Sequence, residues 1–244
     1  MRSLLFVIVI LTLHLCSCSK ETVNNHGSAA SATTDNAVTT QTLTLQPGLK
    51  DGNDLWTKNW INHPAYADTC DSKVGLIKGL CTTLKGSVVY TRSVIKFDGL
   101  SNVPAGATIL SATLYLYGPT PQSKDVKKHL PSGNSSYPGS DRQDNTCLLQ
   151  RITSAWNVAS ISWNNPPVVT TANQVILKAS DKQWQYDVAI NVTEMVKVMV
   201  SAPNVNNGFL MRLQTEERSR SMGFLSANSP ETDRHPKLVV TYSL

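Results

Sequence analysis

Cysteine, histidine and aromatic residues are all scarce in this chain. Of 244 residues, five are cysteine, five are histidine and 7% are aromatic. No CxxC or HxxxH spacing occurs, which argues against a zinc site. No Gly-x-Ser-x-Gly elbow occurs, and His63, His129 and His235 are scattered among loop-like stretches, so no nucleophilic motif stands out. A paired-carboxylate or His/Tyr site meets only in the folded chain, so no catalytic residue is assigned. Charged residues make up only 16%, with a net charge of +5. No stripe of Lys and Arg interleaved with aromatics is present, which excludes the usual nucleic-acid surface. The modest positive charge suits an acidic partner such as a uronic-acid polymer, a teichoic acid or a phospholipid surface, although on charge alone an ordinary solvated surface with a slight basic excess accounts for it better. Internal repeats and a second domain are absent, and helical periodicity is nearly so.

What is present begins with a targeting segment. Arg2 supplies a positive start and Leu4 to Leu15 form an apolar core too short for a comfortable membrane span. Leu15-Cys-Ser-Cys18 resembles a bacterial lipobox, which makes Cys18 the expected lipidated N-terminus of the mature protein; an ordinary secretory signal is the alternative. Two or three acyl chains would give stable anchoring. Residues 1–18 are therefore read as a signal peptide. Residues 19–41, rich in Ser, Thr, Asn and Ala, are read as a tether that buries too little apolar surface to order itself. The expected location is the bacterial outer membrane or cell surface.

From residue 42 to 244 the pattern is that of one β domain. Arg92-Ser-Val-Ile-Lys-Phe-Asp98 and Ala107-Thr-Ile-Leu-Ser-Ala-Thr-Leu-Tyr-Leu-Tyr117 alternate apolar and polar residues, the mark of half-buried antiparallel strands. Similar short runs occur at Thr42, Cys147, Gln174, Tyr186, Gly208, Ser221 and Lys237, with turn residues between them. Many short strands and almost no helix predict an all-β antiparallel sandwich, jelly-roll-like. One short helix is expected: Asn191-Val-Thr-Glu194 resembles a capping box, and Val192, Met195, Val196, Met199 and Val200 form a single apolar stripe. The polar segment Pro119 to Thr146 is long enough to be either functional or loosely ordered.

An exported chain allows disulfides. Cys70 and Cys81 lie in one loop-like stretch and are the expected pair; pairing of either with Cys147 is the alternative, and one thiol is left over in each case. Cys147 begins an apolar run and is expected to be buried.

The ordered set Leu45-Gln-Pro-Gly48, Arg92 to Asp98, Pro104-Ala-Gly-Ala-Thr-Ile109 and Ser111 to Tyr117 resembles the DNRLRE, or disaggregatase-related, domain. Gln150-Arg-Ile-Thr-Ser-Ala-Trp156, Ser162-Trp-Asn-Asn-Pro166, Asn206-Asn-Gly-Phe209, Arg220-Ser-Met-Gly-Phe224 and His235 to Tyr242 continue it. The resemblance implies a jelly-roll-like accessory domain of bacterial and archaeal surface proteins. Some relatives are carbohydrate-binding modules for alginate-type polymers, and many are lipoproteins. The Cys70 to Cys81 stretch and the Pro119 to Thr146 insertion depart from that pattern.

Sugar binding needs a flat aromatic face for a pyranose ring, with Arg or Lys added for uronate carboxylates. Trp56, Trp60 and Tyr66, among Lys58, Asn59 and Asn62, are the first candidate platform, with plugging of a sandwich end as the alternative. Tyr115 and Tyr117 point off the core face of their strand, and Arg151 and Arg212 are candidate carboxylate contacts. Trp156 and Trp163 are expected in the core. Asp51-Gly-Asn-Asp54 places the oxygen side chains of Asp51, Asn53 and Asp54 close together, a weak calcium candidate without EF-hand spacing that also reads as a plain turn. The expected protein is a lipid-anchored, non-catalytic carbohydrate-binding protein for an anionic polysaccharide such as alginate. A structural or adhesive surface module and a polysaccharide lyase or hydrolase are the alternatives.

Overall fold

The computed structural model describes residues 39–244, apart from 141, 142 and 203. The signal segment, Cys18 and most of the expected tether lie outside the described residues. In chain order the strands are β1 (Thr40–Leu45), β2 (Asn53–Trp60), β3 (Cys70–Asp71), β4 (Leu76–Leu84), β5 (Ser87–Lys96), β6 (Thr108–Leu116), β7 (Cys147–Ile152), β8 (Val169–Leu177), β9 (Val188–Asn191), β10 (Phe209–Leu213), β11 (Arg220–Leu225) and β12 (Lys237–Ser243). Two helices join them, α1 (Val126–His129) and α2 (Thr193–Val200). One sheet has the order β1-β12-β6-β9. The larger follows β11-β4-β5-β10-β7-β8, with β2 on β5 and β3 on β2. Every pairing is antiparallel, as an all-β sandwich requires.

The alternation in sequence becomes the two faces of each sheet. On β6, Ala112, Leu114 and Leu116 are buried while Thr113 and Tyr115 are half-buried; on β12, Leu238, Val240 and Tyr242 are buried between Lys237, Val239 and Thr241. These inner residues meet Ile77, Leu149, Phe209, Met211 and Phe224 of the larger sheet in one core. Each such side chain contributes roughly 1.5–3 kcal/mol by leaving water. α2 closes one side of this core with Val192, Met195, Val196 and Met199. Its expected capping box does not form: the N-cap is Val192, with no side-chain cap hydrogen bond. Asn191 accepts from the Thr193 N–H at 3.0 Å, but Glu194 turns outward to Lys197 at 2.8 Å.

β1 begins at Thr40, so the last two residues read as tether are in strand, and Gln41 accepts from the Tyr242 hydroxyl at 2.9 Å. A Thr-rich sequence suits an exposed edge strand as well as a linker.

The expected Cys70–Cys81 disulfide is not formed; both are free thiols, as is Cys147. The register explains this. Cys70 sits opposite Thr57 on β2, Thr57 opposite Arg92 on β5, and Cys81 opposite Tyr90 on β5. Three strand spacings, roughly 14 Å, separate β3 from β4, twice the ~7 Å limit for a bridge. Cys147 is fully buried as expected, and burial pushes its thiol pKa up.

Candidate functional site

β5 pairs along its length with β2 and, on its other edge, first with β4 and then with β10. β4 is shared: Leu80–Leu84 pairs with β5, while Leu76–Cys81 pairs with β11. Where β4 leaves β5, the Ser93 hydroxyl bridges the gap. It accepts from the Lys78 N–H at 2.7 Å and donates to the Lys78 carbonyl at 2.9 Å. On the side of these strands away from the core, the period-two rule aligns Trp56, Lys58 and Trp60 of β2 with Ser93, Thr91 and Val89 of β5 and with Leu80 and Thr82 of β4.

The insertion after β6 walls in this surface. Its described residues are anchored by apolar contacts and by buried amides. Val126 and Leu130 pack on Leu76, Leu80 and Leu225. Asn134 accepts from the Gly223 N–H at 3.0 Å and donates to the Lys182 carbonyl at 3.2 Å. Asn145, fully buried, donates to the Ser221 carbonyl at 2.7 Å and to the Ser180 hydroxyl at 2.8 Å. Gly133 has φ +65°, and a Cβ there would stand 2.7 Å from the Gln183 carbonyl oxygen, so no other residue fits.

Between strands and insertion lies a groove of about 930 Å3, within the range of ligand sites. Its lining mixes aromatic and aliphatic surface with polar and cationic groups. Among the described residues, Lys58, Lys78, Lys128 and Arg220 line it with one carboxylate, Asp71, among hydroxyls and amides of Thr82, Thr91, Ser132, Asn134, Ser135 and Gln143. At its edge Trp60 and Tyr66 stack, with ring centres 5.4 Å apart and planes 20° apart, and His63 leans on Trp60 at 4.1 Å. Lys58 lies 4.2 Å from the Tyr66 ring centre and 3.1 Å from Asp71. Tyr66 is 41% exposed and Trp60 half-buried, so this pair is the part of the expected platform that a ligand reaches.

Trp56 is different. It is only 2% exposed and forms the floor. Lys78 Nζ lies 4.2 Å from its ring centre and His129 meets its edge at 5.4 Å. Lys78 is itself buried and donates to the His129 carbonyl at 2.7 Å. Burial lowers the Lys78 ammonium to about 7; Asp71 opposes that shift and Lys58 adds to it. Burial, then Lys78 and Lys128, lower the His129 imidazole to about 4, so it is neutral at physiological pH. The indole N–H groups of Trp56 and Trp60 are buried and have no acceptor.

The remaining sequence candidates fall elsewhere. Tyr115 and Tyr117 lie on the smaller sheet, under Lys237 at 4.7 and 5.9 Å, with Arg234 5.6 Å from Tyr117. Arg212 is tied to the Gln150 side chain at 3.4 Å and to its neighbour's carbonyl at 3.1 Å; it and Arg151, on β7, are outside the groove lining. Trp156 and Trp163 are half-buried instead of sealed in the core. The first donates to the Asn207 carbonyl at 2.8 Å; the second lies under Arg92, which is held by two hydrogen bonds to Glu216. Asp51, Asn53 and Asp54 do not converge. Asn53 bonds Asp98, whereas Asp54 is buried and accepts from the Ala227 N–H at 2.6 Å. Burial raises the Asp54 carboxyl to about 6. Among the described residues no three His, Cys, Asp or Glu side chains gather as a metal site would need.

Sequence reasoning missed Lys78, Lys128, His129 and Asn134. The available signal was Lys78 itself, a cation inside the apolar run Leu76-Ile-Lys-Gly-Leu80.

Residues 137–242 match the model of carbohydrate-binding module family 96, which is less than half of the chain. The chain thus contains a carbohydrate-binding-module-like domain, and the match supports a carbohydrate-binding function. Of the groove lining, the matched stretch includes Tyr137, Gln143 and Ser219 to Ser221, but not Trp56, Trp60, Tyr66, Lys78 or Lys128 to Ser135. No curated protein matches the chain.

Proposed function

We propose that the chain is a carbohydrate-binding protein whose groove holds a segment of an extracellular anionic polysaccharide of the alginate type, without cleaving it. The observation that carries this reading is the groove itself: a stacked Trp60–Tyr66 pair beside an excess of lysine, with hydroxyls and amides along the wall. Aromatic faces take the C–H side of a pyranose, amides and hydroxyls its OH groups, and ammonium groups its carboxylates. The resemblance to the disaggregatase-related domain and the module match over 137–242 agree with this chemistry. In the same proposal, Cys18 carries the lipid that anchors the domain at the cell surface, with the Ser/Thr-rich segment as spacer.

Isothermal calorimetry against alginate, pectin and a neutral glucan tests the binding. Alginate is expected to bind best, and Trp60→Ala or Tyr66→Ala to weaken it roughly tenfold, the worth of a lost ring contact. Absence of heat and of gel retardation with all three polymers would overturn the reading. Release of unsaturated uronide, seen by absorbance, would replace binding with lyase activity. Metabolic labelling with a palmitate analogue tests the anchor, with Cys18→Ala expected to lose the label.

A further inference from the structure

The groove floor holds a polar group pair that the packing of the domain leaves unfinished. Trp56 is nearly sealed, yet its Nε1–H finds no acceptor. Beside it, Lys78 is 4% exposed and carries three N–H donors, of which one goes to the His129 carbonyl at 2.7 Å. A second contact of its Nζ is the face of Trp56, which offers no lone pair. Buried donors are normally paired, so two of them lining one groove mark a place where an acceptor is missing.

We propose that Lys78 Nζ and the Trp56 indole N–H form a buried oxyanion subsite that grips the carboxylate of one acidic sugar unit. This deepens the groove reading above and rests on it. The subsite selects an oxyanion bearing two lone-pair-rich oxygens over a hydroxymethyl group, because only the former answers both donors and the positive field. That field has identifiable sources. Lys58 faces Lys78 from β2 and Asp71 from β3; His129, neutral, faces it from the insertion, with Lys128 and Asp125 beside it. β5 and β11 bring the Ser93 hydroxyl and Gly223, which carry no charge. Asp71 is already engaged by Lys58 at 3.1 Å, so the floor remains short of negative charge.

Burial holds the Lys78 ammonium at about 7, so near pH 7.5 a good part of the molecules carry a neutral amine. An incoming carboxylate favours the ammonium and draws a proton from solution. Binding therefore weakens as pH rises through 7, and complex formation takes up protons.

The test uses the full-length protein with an alginate oligosaccharide and its carboxyl-reduced, neutral counterpart. Calorimetry at pH 7.5 in buffers of different ionisation enthalpy reads both affinity and proton uptake. The acidic oligomer is expected to bind roughly tenfold or more tighter than the neutral one, as a charge-assisted hydrogen bond allows. A fraction of a proton is expected to be taken up per site. Lys78→Met should bring the acidic oligomer down to the affinity of the neutral one and abolish uptake, and Trp56→Phe should narrow the preference partway. A folded Lys78→Met protein that keeps the full preference overturns the subsite. If that variant does not fold, zero uptake by the unaltered protein between pH 6 and 8.5 overturns it equally. Equal binding of both oligomers sinks the subsite and the anionic preference but leaves the groove standing as a carbohydrate site; binding of neither removes both.

Discussion

Two of the regions that combine tyrosine or tryptophan with lysine or arginine have different surroundings. On the smaller sheet, Lys237 covers Tyr115 and Tyr117, and Arg234 is drawn off by Asp187 at 2.9 Å. Those rings are half-buried. On the larger sheet, Lys58 and Lys78 stand over Trp56 and Tyr66 under the wall built by the insertion. The wall turns a surface contact into a desolvated one. It lowers the Lys78 ammonium to about 7, an effect for which burial is the first cause. The difference shows that residue types do not make the site; the concavity supplied by the insertion does.

The largest effect expected from this comparison is on stability. Trp56→Ala should lose about 3–5 kcal/mol in chemical denaturation, as for other buried aromatic rings. Tyr115→Ala, whose ring is half-buried under a lysine, should lose about 1 kcal/mol or less beyond its modest packing. Equal losses would mean that the floor is not packed as described.

Next comes the pH dependence of stability. The Lys78 pKa is depressed in the folded state, so its contribution is present above the unfolded value near 10.5 and is lost as pH falls toward 7. Between those limits the gap between the parent and Lys78→Met should shift by about 1.4 kcal/mol per pH unit, the variant gaining as pH falls. A gap that stays flat from pH 7 to 10 would show that Lys78 is solvated. The smallest effect separates the two faces in binding: Tyr117→Ala should leave alginate affinity within about twofold, whereas Tyr66→Ala should weaken it roughly tenfold.

The strands were legible in sequence because each keeps one face in the core. β6 and β12 show it in every second residue, from Ala112 to Leu116 and from Leu238 to Tyr242. The stripe of α2 was legible for the same reason, through Met195, Val196 and Met199. The site was legible only in part. Trp60 and Tyr66 stood out as aromatics in a polar stretch, but nothing local told that Trp56, four residues earlier, was the floor. Lys78 was a cation inside the apolar run Leu76 to Leu80, with no local sign of what would cover it. Its burial depends on Val126 and Leu130, some fifty residues along the chain, docking beside it. Cys70 and Cys81 looked adjacent because eleven positions separate them, yet β2 and β5 run between them.

What the sequence by itself determined is the layered, antiparallel architecture, since the period of apolar residues dictates which face of each strand leaves water. What only the tertiary structure decided is which polar groups lose water too. Whether a lysine, an indole N–H or a thiol is paired, stranded or free depends on strands and loops distant in sequence, and desolvation is a property of the assembled neighbours, not of the residue.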